Sequence, residues 1–525
     1  MLNSDASFGN QQTSFKPEPC ELLNGGPCAL CVELEAFDDG ARSIVDLLCE
    51  KRRTILEQVN HHHDPLIQCL PLELISKVFA FCLPQARVDI APLEIELLYN
   101  RHRIRPFNIV LGAICGAWRH IAWSTPDLWS TLPIFLHCHS KTRLDLILEW
   151  LERSAHIPLD LAVGYDPRIT SGHLTEKNIH LWKPLIDIIN GCSSRWRTVN
   201  MDVPDFVHSY IVGDGDGICI LERLTIQESQ CSPNQRPSHR LSLMNALPAP
   251  SQLLLSTMPF RSIDIDYSNL TIVEIDDLYP NECLALLQKA QRLTTCTLYL
   301  LRPGQDKHLP SPSPTHHHAL LRLDIDGLGD GITSEDLLPY LTLPSLVHLS
   351  CEFGDSSPES VIAFLQRSGC RLTTLHISND YIQVSFLGLT PHLRELEVLK
   401  YEGNYLDSLI EILNNHMELN EWGGDTILLP NLRELSICAP RVSWRRPADL
   451  VPSRHLKTLS IYLNLDNVQE MPEHAWIDNE SASHFQELVM NGHDIKIATY
   501  MKKKHNLLAW SIQRRVSETR ESDEI

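Results

Sequence analysis

Cysteine and histidine are the residues of this sequence that most invite a chemical interpretation. Cys28-Ala29-Leu30-Cys31 is a CxxC pair, the spacing at which two thiolates can bind one zinc ion. A structural zinc site needs four ligands, and the nearest candidates, His61, His62 and His63, lie beyond a predicted helix. We therefore favour unligated thiols over a zinc site and predict no bound metal.

Two further segments could hold an ion, but neither is convincing. His316, His317 and His318 are consecutive without acidic partners at metal spacing, which favours a loop. The Gly-Asp-Gly-Asp-Gly run at 213–217 lacks the later acidic ligands and the closing glutamate of a calcium loop. The sequence contains neither a phosphate-binding loop ending in Lys-Ser or Lys-Thr nor a GxSxG elbow. We predict a protein that is not an enzyme and that uses no cofactor.

Composition narrows the class of protein. The chain has 525 residues, 43% of them hydrophobic, which is enough for more than one domain with a packed core. Its formal net charge of −21 repels phosphate backbones, so nucleic acid is not an expected partner.

The location of the protein is predicted from what the sequence lacks. It starts without a basic leader or an apolar run, and no stretch approaches the roughly 18 apolar residues of a membrane span. We predict a cytoplasmic or nuclear protein with no membrane partner. Its cysteines should then be reduced and buried in apolar segments, as at Cys82, Cys115, Cys296 and Cys370.

The elements that position any binding site begin with a helix. Residues 1–32, rich in Gln, Ser, Pro and Gly, are predicted to be disordered. Over 33–63 the spacing predicts an amphipathic helix whose apolar face includes Ile44, Leu47, Leu48, Ile55 and Val59. Packing of this face on the next domain is the favoured role, and a coiled-coil dimer is the alternative.

Segment 66–130 carries two short apolar helical faces. The first opens at Leu70-Pro71, because a proline is tolerated where its missing N–H would be unpaired. The second contains the residues from Ile109 to Ala122 that recur at helical spacing, and core positions are expected for Ile114 and Trp118. Two such helices leave surplus apolar surface, which is what a partner helix needs. The residues near 85–107 are polar and interrupted by prolines, so they are predicted to form an inserted loop.

This segment resembles the F-box, the three-helix motif that docks substrate receptors onto the Skp-type adaptor of SCF ubiquitin ligases. The resemblance rests on Leu70-Pro71-x-Glu73-Leu74, Cys115-x-x-Trp118-Arg119 and Ile121-Ala122, in that order. Segments 125–129, 148–154 and 194–197 are similar to F-box proteins of mushroom-forming fungi. The family places the cysteine closer to Leu-Pro, so the resemblance implies the insertion. It also implies adaptor-binding residues, namely Leu70, Pro71, Leu74, Ile75, Val78, Phe79, Leu111, Cys115, Trp118 and Ile121. The last four of these would contribute both to adaptor contact and to the core of the module.

A repeated pattern fills most of the remaining chain. A leucine, two residues, a leucine, one residue and an aliphatic residue recur from positions 293, 320, 346, 372 and 393. Weaker or more widely spaced copies start at 196, 221, 260, 432 and 456. Periods of about 20–29 residues with this LxxLxL strand are typical of leucine-rich repeats. Helices are expected between the strands, at 281–291, 334–341, 357–367 and 405–417.

The predicted fold is thus an α+β or α/β repeat protein. A small three-helix F-box-like bundle precedes an irregular leucine-rich-repeat solenoid over 131–485, whose helical cap includes 143–152. Residues 486–525 are a predicted tail, in which the basic tract 502–505 favours a solvated helix over a nuclear localisation signal.

Residues between the apolar positions of each strand should point to the concave face and contact a target protein. These candidates are Arg322, Asp324, His348, His376, Arg394, Glu397, Arg433 and Lys457. Taken together, the F-box resemblance and the repeats predict a substrate receptor. It would bind a Skp-type adaptor, and through it a cullin scaffold, together with an unidentified protein target. The alternative is a leucine-rich-repeat scaffold unconnected with ubiquitination.

Overall fold

The described part of the chain forms two units, the first ending at Leu128 and the second starting at Trp129. The structure is a computed structural model and describes residues 28–63, 69–83, 107–136, 141–165, 175–213, 219–227, 241–243, 247–256, 260–276, 278–299, 301, 314–326, 337–352, 359–378, 384–399, 409–411, 413, 428–439, 441–464, 476–501 and 503–514. Most of the predicted disordered segment and of the predicted insertion lies outside these residues.

Helices account for all the regular structure described in the first unit. They are α1 Ala29–His63, α2 Leu72–Phe81, α3 Phe107–Ile114 and α4 Gly116–Ser124, followed by a 3-10 turn at Pro126–Trp129. Helix α1 begins inside the segment predicted to be disordered, because Val32 N–H donates to the Cys28 carbonyl and closes a first turn there. Phe107, assigned to the insertion, is the first residue of α3.

A single large sheet dominates the second unit. Fifteen strands form it in the order β1-β2-β3-β4-β6-β8-β9-β11-β13-β14-β15-β16-β17-β18-β19, and only the last pair is antiparallel. The strands are β1 Thr131–Phe135, β2 Leu159–Gly164, β3 Trp196–Asp202, β4 Arg223–Gln227, β5 Leu241–Ser242, β6 Gln252–Leu255, β7 Ile263–Asp264, β8 Ile272–Asp276, β9 Thr295–Tyr299, β10 Thr315–His316, β11 Arg322–Asp326, β12 Leu341–Thr342, β13 His348–Glu352, β14 Thr374–Ser378, β15 Glu395–Leu399, β16 Glu434–Ala439, β17 Thr458–Asn464, β18 Asp494–Met501 and β19 Lys503–Asn506. The fold is therefore α/β with a large, open, parallel sheet.

Helices of the second unit lie between strands in the chain, except for a helix at 507–514 that follows β19. They are α5 Lys141–Arg153, α6 Lys183–Gly191, α7 Asp205–His208, α8 Pro280–Lys289, α9 Glu359–Ser368, α10 Arg445–Arg454 and α11 Asn479–Met490. Three match expected helices, since α5, α8 and α9 cover most of 143–152, 281–291 and 357–367. The helix expected at 334–341 is wrong in its described part, which is a 3-10 turn at Leu338–Tyr340 followed by β12. Pro339 has no N–H for a helical hydrogen bond.

The apolar positions of the repeated pattern are what hold the strands in register. Leu323 pairs with Leu349, Leu349 with Leu375, and Leu375 with Leu396, so equivalent leucines form one buried row across the sheet. The backbone repeats too: the carbonyl of Leu321 accepts the N–H groups of both Val347 and His348. Because side chains alternate across a strand, this register places every intervening residue on the opposite face.

One expected strand lies elsewhere, and the edges of the sheet extend further than expected. Ile263 lies in β7, which pairs only with β5 in a separate small sheet. The main sheet uses β6 and β8 there instead, and it gains β1 and β2 before Trp196. The predicted tail includes β18 and β19, so the tract at 503–505 is strand rather than helix. Ile497 explains β18, because it is buried in register with Ile461 of β17, and β19 then pairs antiparallel with β18.

At three places in the second unit, an arginine side chain donates hydrogen bonds to backbone carbonyls of a distant segment. Arg195 donates to the Ile157 carbonyl at 3.0 Å, and Arg367 donates to the carbonyls of Leu338 and Leu341 at 2.6 and 2.8 Å. Buried Arg454 donates to the Leu413 and Leu428 carbonyls, and burial lowers its pKa. Each guanidinium thereby links its own segment to carbonyls at least 26 positions away in the chain.

The cysteines divide between the core and the surface. Cys115, Cys283, Cys296 and Cys351 are buried, as expected of small apolar residues, and burial raises the pKa of Cys283 to about 12. Cys82 is exposed, which contradicts its predicted burial, because it follows the last turn of α2.

The histidine run expected to be a loop contains a buried structural residue. His317 is buried, with Nε2 2.9 Å from the Ala290 carbonyl and Nδ1 accepting the Leu320 N–H at 3.1 Å. Nε2 must carry the proton and Nδ1 must not, so the ring is neutral. Burial lowers its pKa despite the hydrogen bond to the Ala290 carbonyl.

This lowered pKa predicts a loss of stability in weak acid. A neutral His317 stabilises the fold fully above its unfolded pKa, and that contribution falls as the pH drops through and below about 6.5. Replacing His317 with Leu should cost about 1–3 kcal/mol at pH 7.5, because two buried backbone groups lose their partner, and should cost less at pH 5.5. Urea unfolding at both pH values measures this. His316→Leu, in the exposed neighbour, is the control, and equal curves for His317→Leu and wild type would refute the assignment.

Candidate binding surfaces

Six of the ten residues expected to bind an adaptor belong to helix α2 or directly precede it. Four lie in the helix, and Leu70 and Pro71 lie just before it. It starts after Pro71, which serves as N-cap rather than as first helical residue. Leu74 and Val78 are 46% and 37% exposed, and Phe81 extends the same edge of the helix. Spacing of i, i+4 and i+7 places these three side chains in one row. Pro71 is exposed and Leu70 is half-buried at the start of the row.

The opposite edge of α2 belongs to the core of the first unit. Ile75 and Phe79 are buried, and the Phe79 ring lies 4.8 Å from the half-buried Trp118 ring of α4. Leu111, Cys115 and Ile121 are buried as well. These five side chains pack inward, which fits the core role also expected for Leu111, Cys115 and Ile121. Their contact with an adaptor stays a prediction. Ile114, expected in the core, is instead exposed at the last position of α3.

Local hydrogen bonds explain the Cys-x-x-Trp-Arg pattern. Cys115 is the N-cap of α4, and its Sγ accepts the Trp118 N–H at 3.4 Å. Arg119 Nε donates to the Gly112 carbonyl at 2.7 Å, which satisfies a free carbonyl near the end of α3. The pattern thus fixes the corner between α3 and α4.

A second candidate surface crosses six neighbouring strands on the polar face of the sheet. We call it the acid–histidine ladder, and it consists of Thr297, Asp324, His348, His376, Glu397 and Ser436. Asp324 Oδ1 lies 2.8 Å from His348 Nε2, and the His348 and His376 rings meet edge to face at 4.8 Å. His376 Nδ1 lies 3.3 Å from Glu397 Oε2.

The two hydroxyl groups of the ladder and two charged neighbours outside it add further contacts. Thr297 and Ser436 donate to Asp324 and Glu397, each at 3.3 Å, and Glu395 Oε1 lies 3.5 Å from His376 Nε2. Arg322 Nε donates to Asp324 Oδ2 at 2.6 Å. Counting the ladder together with Glu395 and Arg322, three carboxylates face one guanidinium, so carboxylates are in excess. Asp324 and His348 are buried, and the more accessible carboxylates are Glu395 and Glu397 of β15.

Asp324 is the most constrained ionisable group of the ladder. Burial alone would raise its pKa, but hydrogen bonds from His348 and Arg322 outweigh burial and lower the pKa below its ordinary value. The ionised carboxylate therefore stabilises the fold fully above its unfolded pKa, and this contribution is lost as the pH falls below about 4.

Replacement of Asp324 with Asn should accordingly destabilise the protein by about 1–2 kcal/mol at neutral pH, since two charged hydrogen bonds are weakened. It should also flatten the loss of stability below pH 4. Thermal unfolding between pH 3 and pH 7 tests both effects. Glu434→Gln, which removes an exposed carboxylate from β16, is the matched control. A variant that follows the wild-type pH profile would show that Asp324 contributes no such stability.

The three remaining target-binding candidates form a row of their own. Arg394, Arg433 and Lys457 are exposed and immediately precede β15, β16 and β17. Arg433 N–H donates to the Arg394 carbonyl, and Lys457 N–H donates to the Arg433 carbonyl. They line the amino edge of the sheet, one position before the strands that carry the ladder, and contribute no hydrogen bond or ion pair to it among the residues described.

Sequence reasoning missed Thr297 and Ser436 because it selected only charged residues and histidines. The signal was available: each stands between the last two apolar positions of its repeat, as Asp324 does. Within the described segments, no group of three or more His, Cys, Asp or Glu side chains could hold a metal ion. No described helix is long and apolar enough to cross a membrane. No family model and no curated protein matches the chain.

Proposed function

We propose that this chain is the substrate-recognition subunit of an SCF-type ubiquitin ligase. Segment 66–130 is an F-box-like module that binds a Skp-type adaptor, and the second unit is an irregular leucine-rich-repeat solenoid that binds a target protein. The observation that carries the proposal is the exposed edge of α2, where Leu74, Val78 and Phe81 follow the Leu70-Pro71 start.

The exposed edge suits a helical partner. Its three apolar side chains lie in one row, and the buried Ile75 and Phe79 hold the helix in place from behind. An apolar row on a helix that is anchored on its other side is the geometry by which helices insert into grooves. Contact residues are therefore Leu70, Pro71, Leu74 and Val78 among those predicted, with Phe81 added.

The sheet supports the second half of the proposal. Its strands recur with leucines in register and with helices between several of them, which is how a stack of leucine-rich repeats buries its core. On the polar face of the sheet, Glu395 and Glu397 remain partly exposed beside His376, so we propose that the target presents a basic segment.

Catalysis would arise from proximity. The receptor would hold target lysines near a ubiquitin-conjugating enzyme on the cullin scaffold, which raises their effective concentration without a catalytic residue of its own. Such a receptor acts in the cytoplasm or nucleus.

Co-purification with a Skp-type adaptor tests the proposal. The full chain should form a stoichiometric complex, and replacing both Leu70 and Pro71 with Ala should weaken it. An unaffected double variant would contradict the proposed docking edge. Failure of the wild-type chain to bind any Skp-type adaptor would remove the ligase function and leave an interaction scaffold.

A further inference from the structure

Helix α1 exposes an apolar stripe along nearly its whole length. Leu30, Leu34, Phe37, Ala41, Ile44, Leu48 and Ile55 follow one another at intervals of four, three, four, three, four and seven residues. These are the a and d positions of a heptad repeat, so they share one face. All seven side chains are exposed, including Phe37 at 72% and Leu48 at 61%.

The expected packing of this helix on the next domain is wrong for the described residues. None of the α1 side chains that the structure describes is buried. With 35 residues, α1 spans five heptads and about 50 Å, which is enough length for a coiled coil. An exposed stripe of this size on a helix needs an occupant.

The distribution of charge along α1 indicates that a second copy of the same helix can cover this stripe. Residues 29–46 carry five carboxylates and one arginine, a net charge of −4. Residues 47–63 carry two carboxylates against Lys51, Arg52 and Arg53, a net charge of +1 with neutral histidines. Parallel pairing would set the two acidic halves side by side, whereas antiparallel pairing sets each acidic half against the basic segment of the other copy.

We propose that α1 pairs with α1 of a second copy of this chain in an antiparallel coiled coil. One alignment matches nearly every apolar position, with Leu30 opposite Ile55, Phe37 opposite Leu48 and Ala41 opposite Ile44. Lys51 then faces Leu34 and lies between Glu33, Glu35 and Asp38 of the other copy. The pairing is independent of the proposed ligase function.

The mass of the full chain under reducing conditions tests the pairing. Light scattering over a dilution series should give twice the 59.7 kDa chain mass at the higher concentrations. Phe37→Glu with Leu48→Glu should weaken dimerisation at least about 100-fold, since facing apolar side chains become like charges. Val32→Glu with Leu56→Glu is the control, because both residues are exposed on α1 outside the stripe. A monomeric wild type, or equal effects of the two double variants, would overturn the proposal.

Carbodiimide cross-linking of mixed light and heavy-isotope copies tests the direction. Lys51 is the only lysine of α1, so its cross-links between copies report the alignment. Antiparallel helices should link Lys51 to Glu33, Glu35 or Asp38 of the other copy. Links to Glu50 or Glu57 instead would mean parallel helices and would overturn the proposed arrangement.

Discussion

Replacing both Leu74 and Val78 with Glu should abolish adaptor binding, with a loss of affinity of at least about 100-fold. Each side chain is exposed in the free protein, so a partner that covers this edge gains about 1.5 kcal/mol or more for each one buried. In the variant, covering the edge would instead bury two carboxylates that have no cationic partner. The resulting penalty adds to the lost apolar contact.

Calorimetric titration of a purified Skp-type adaptor into the two forms measures this difference. Leu148→Glu with Leu321→Glu is the matched control, since it adds the same charges at exposed leucines of the second unit. The melting temperature should change little in either variant because no buried side chain is altered. Adaptor affinity that survives the Leu74 and Val78 changes would locate docking away from α2.

The strands of the central sheet were predictable wherever leucine filled the repeated positions. Leu320-x-x-Leu323-x-Ile325 predicts β11, because a strand buried on one face and exposed on the other alternates in this way. The strand β8 was missed although Leu270-x-x-Val273-x-Ile275 has the same form. The pattern at Phe260 was chosen instead, and its Ile263 belongs to a separate two-stranded sheet.

The residues of the ladder were predictable one at a time, but their contacts were not. Asp324 and His348 are 24 positions apart, and Glu397 and Ser436 are separated by 39. Only the register of six strands brings them within hydrogen-bonding distance. Register depends on every buried row at once, whereas sequence spacing reports one strand at a time.

For helix α2, the sequence predicts the apolar stripe but not which of its residues are buried in the core. Its apolar residues occupy adjacent positions, as in Leu74-Ile75 and Val78-Phe79, so the stripe is wide enough to serve both core and partner. The division between them is set by α4, where Trp118 covers Phe79 and leaves Val78 outside. A single sequence identifies the stripe but not the line that divides it.

Trp196 should be among the most costly residues to truncate in the second unit. It opens β3, it is fully buried at 0% exposure, and it is the largest fully buried side chain among the residues that the structure describes. Replacement with Ala leaves a large cavity that neighbouring strands cannot close, so stability should fall by about 3–5 kcal/mol. Chemical unfolding followed by circular dichroism measures the loss without relying on tryptophan fluorescence.

Trp196→Phe should cost far less, about 1–2 kcal/mol, and the reason distinguishes packing from hydrogen bonding. No acceptor among the described residues pairs with Trp196 Nε1, so phenylalanine loses volume but no hydrogen bond. Trp150 provides the comparison, because its Nε1 donates to the Trp129 carbonyl at 2.9 Å. Trp150→Phe should therefore cost about 1 kcal/mol more than Trp196→Phe, since the buried carbonyl loses its partner. If Trp196→Phe proves as damaging as Trp196→Ala, the indole nitrogen of Trp196 must make a polar contact that packing alone does not explain.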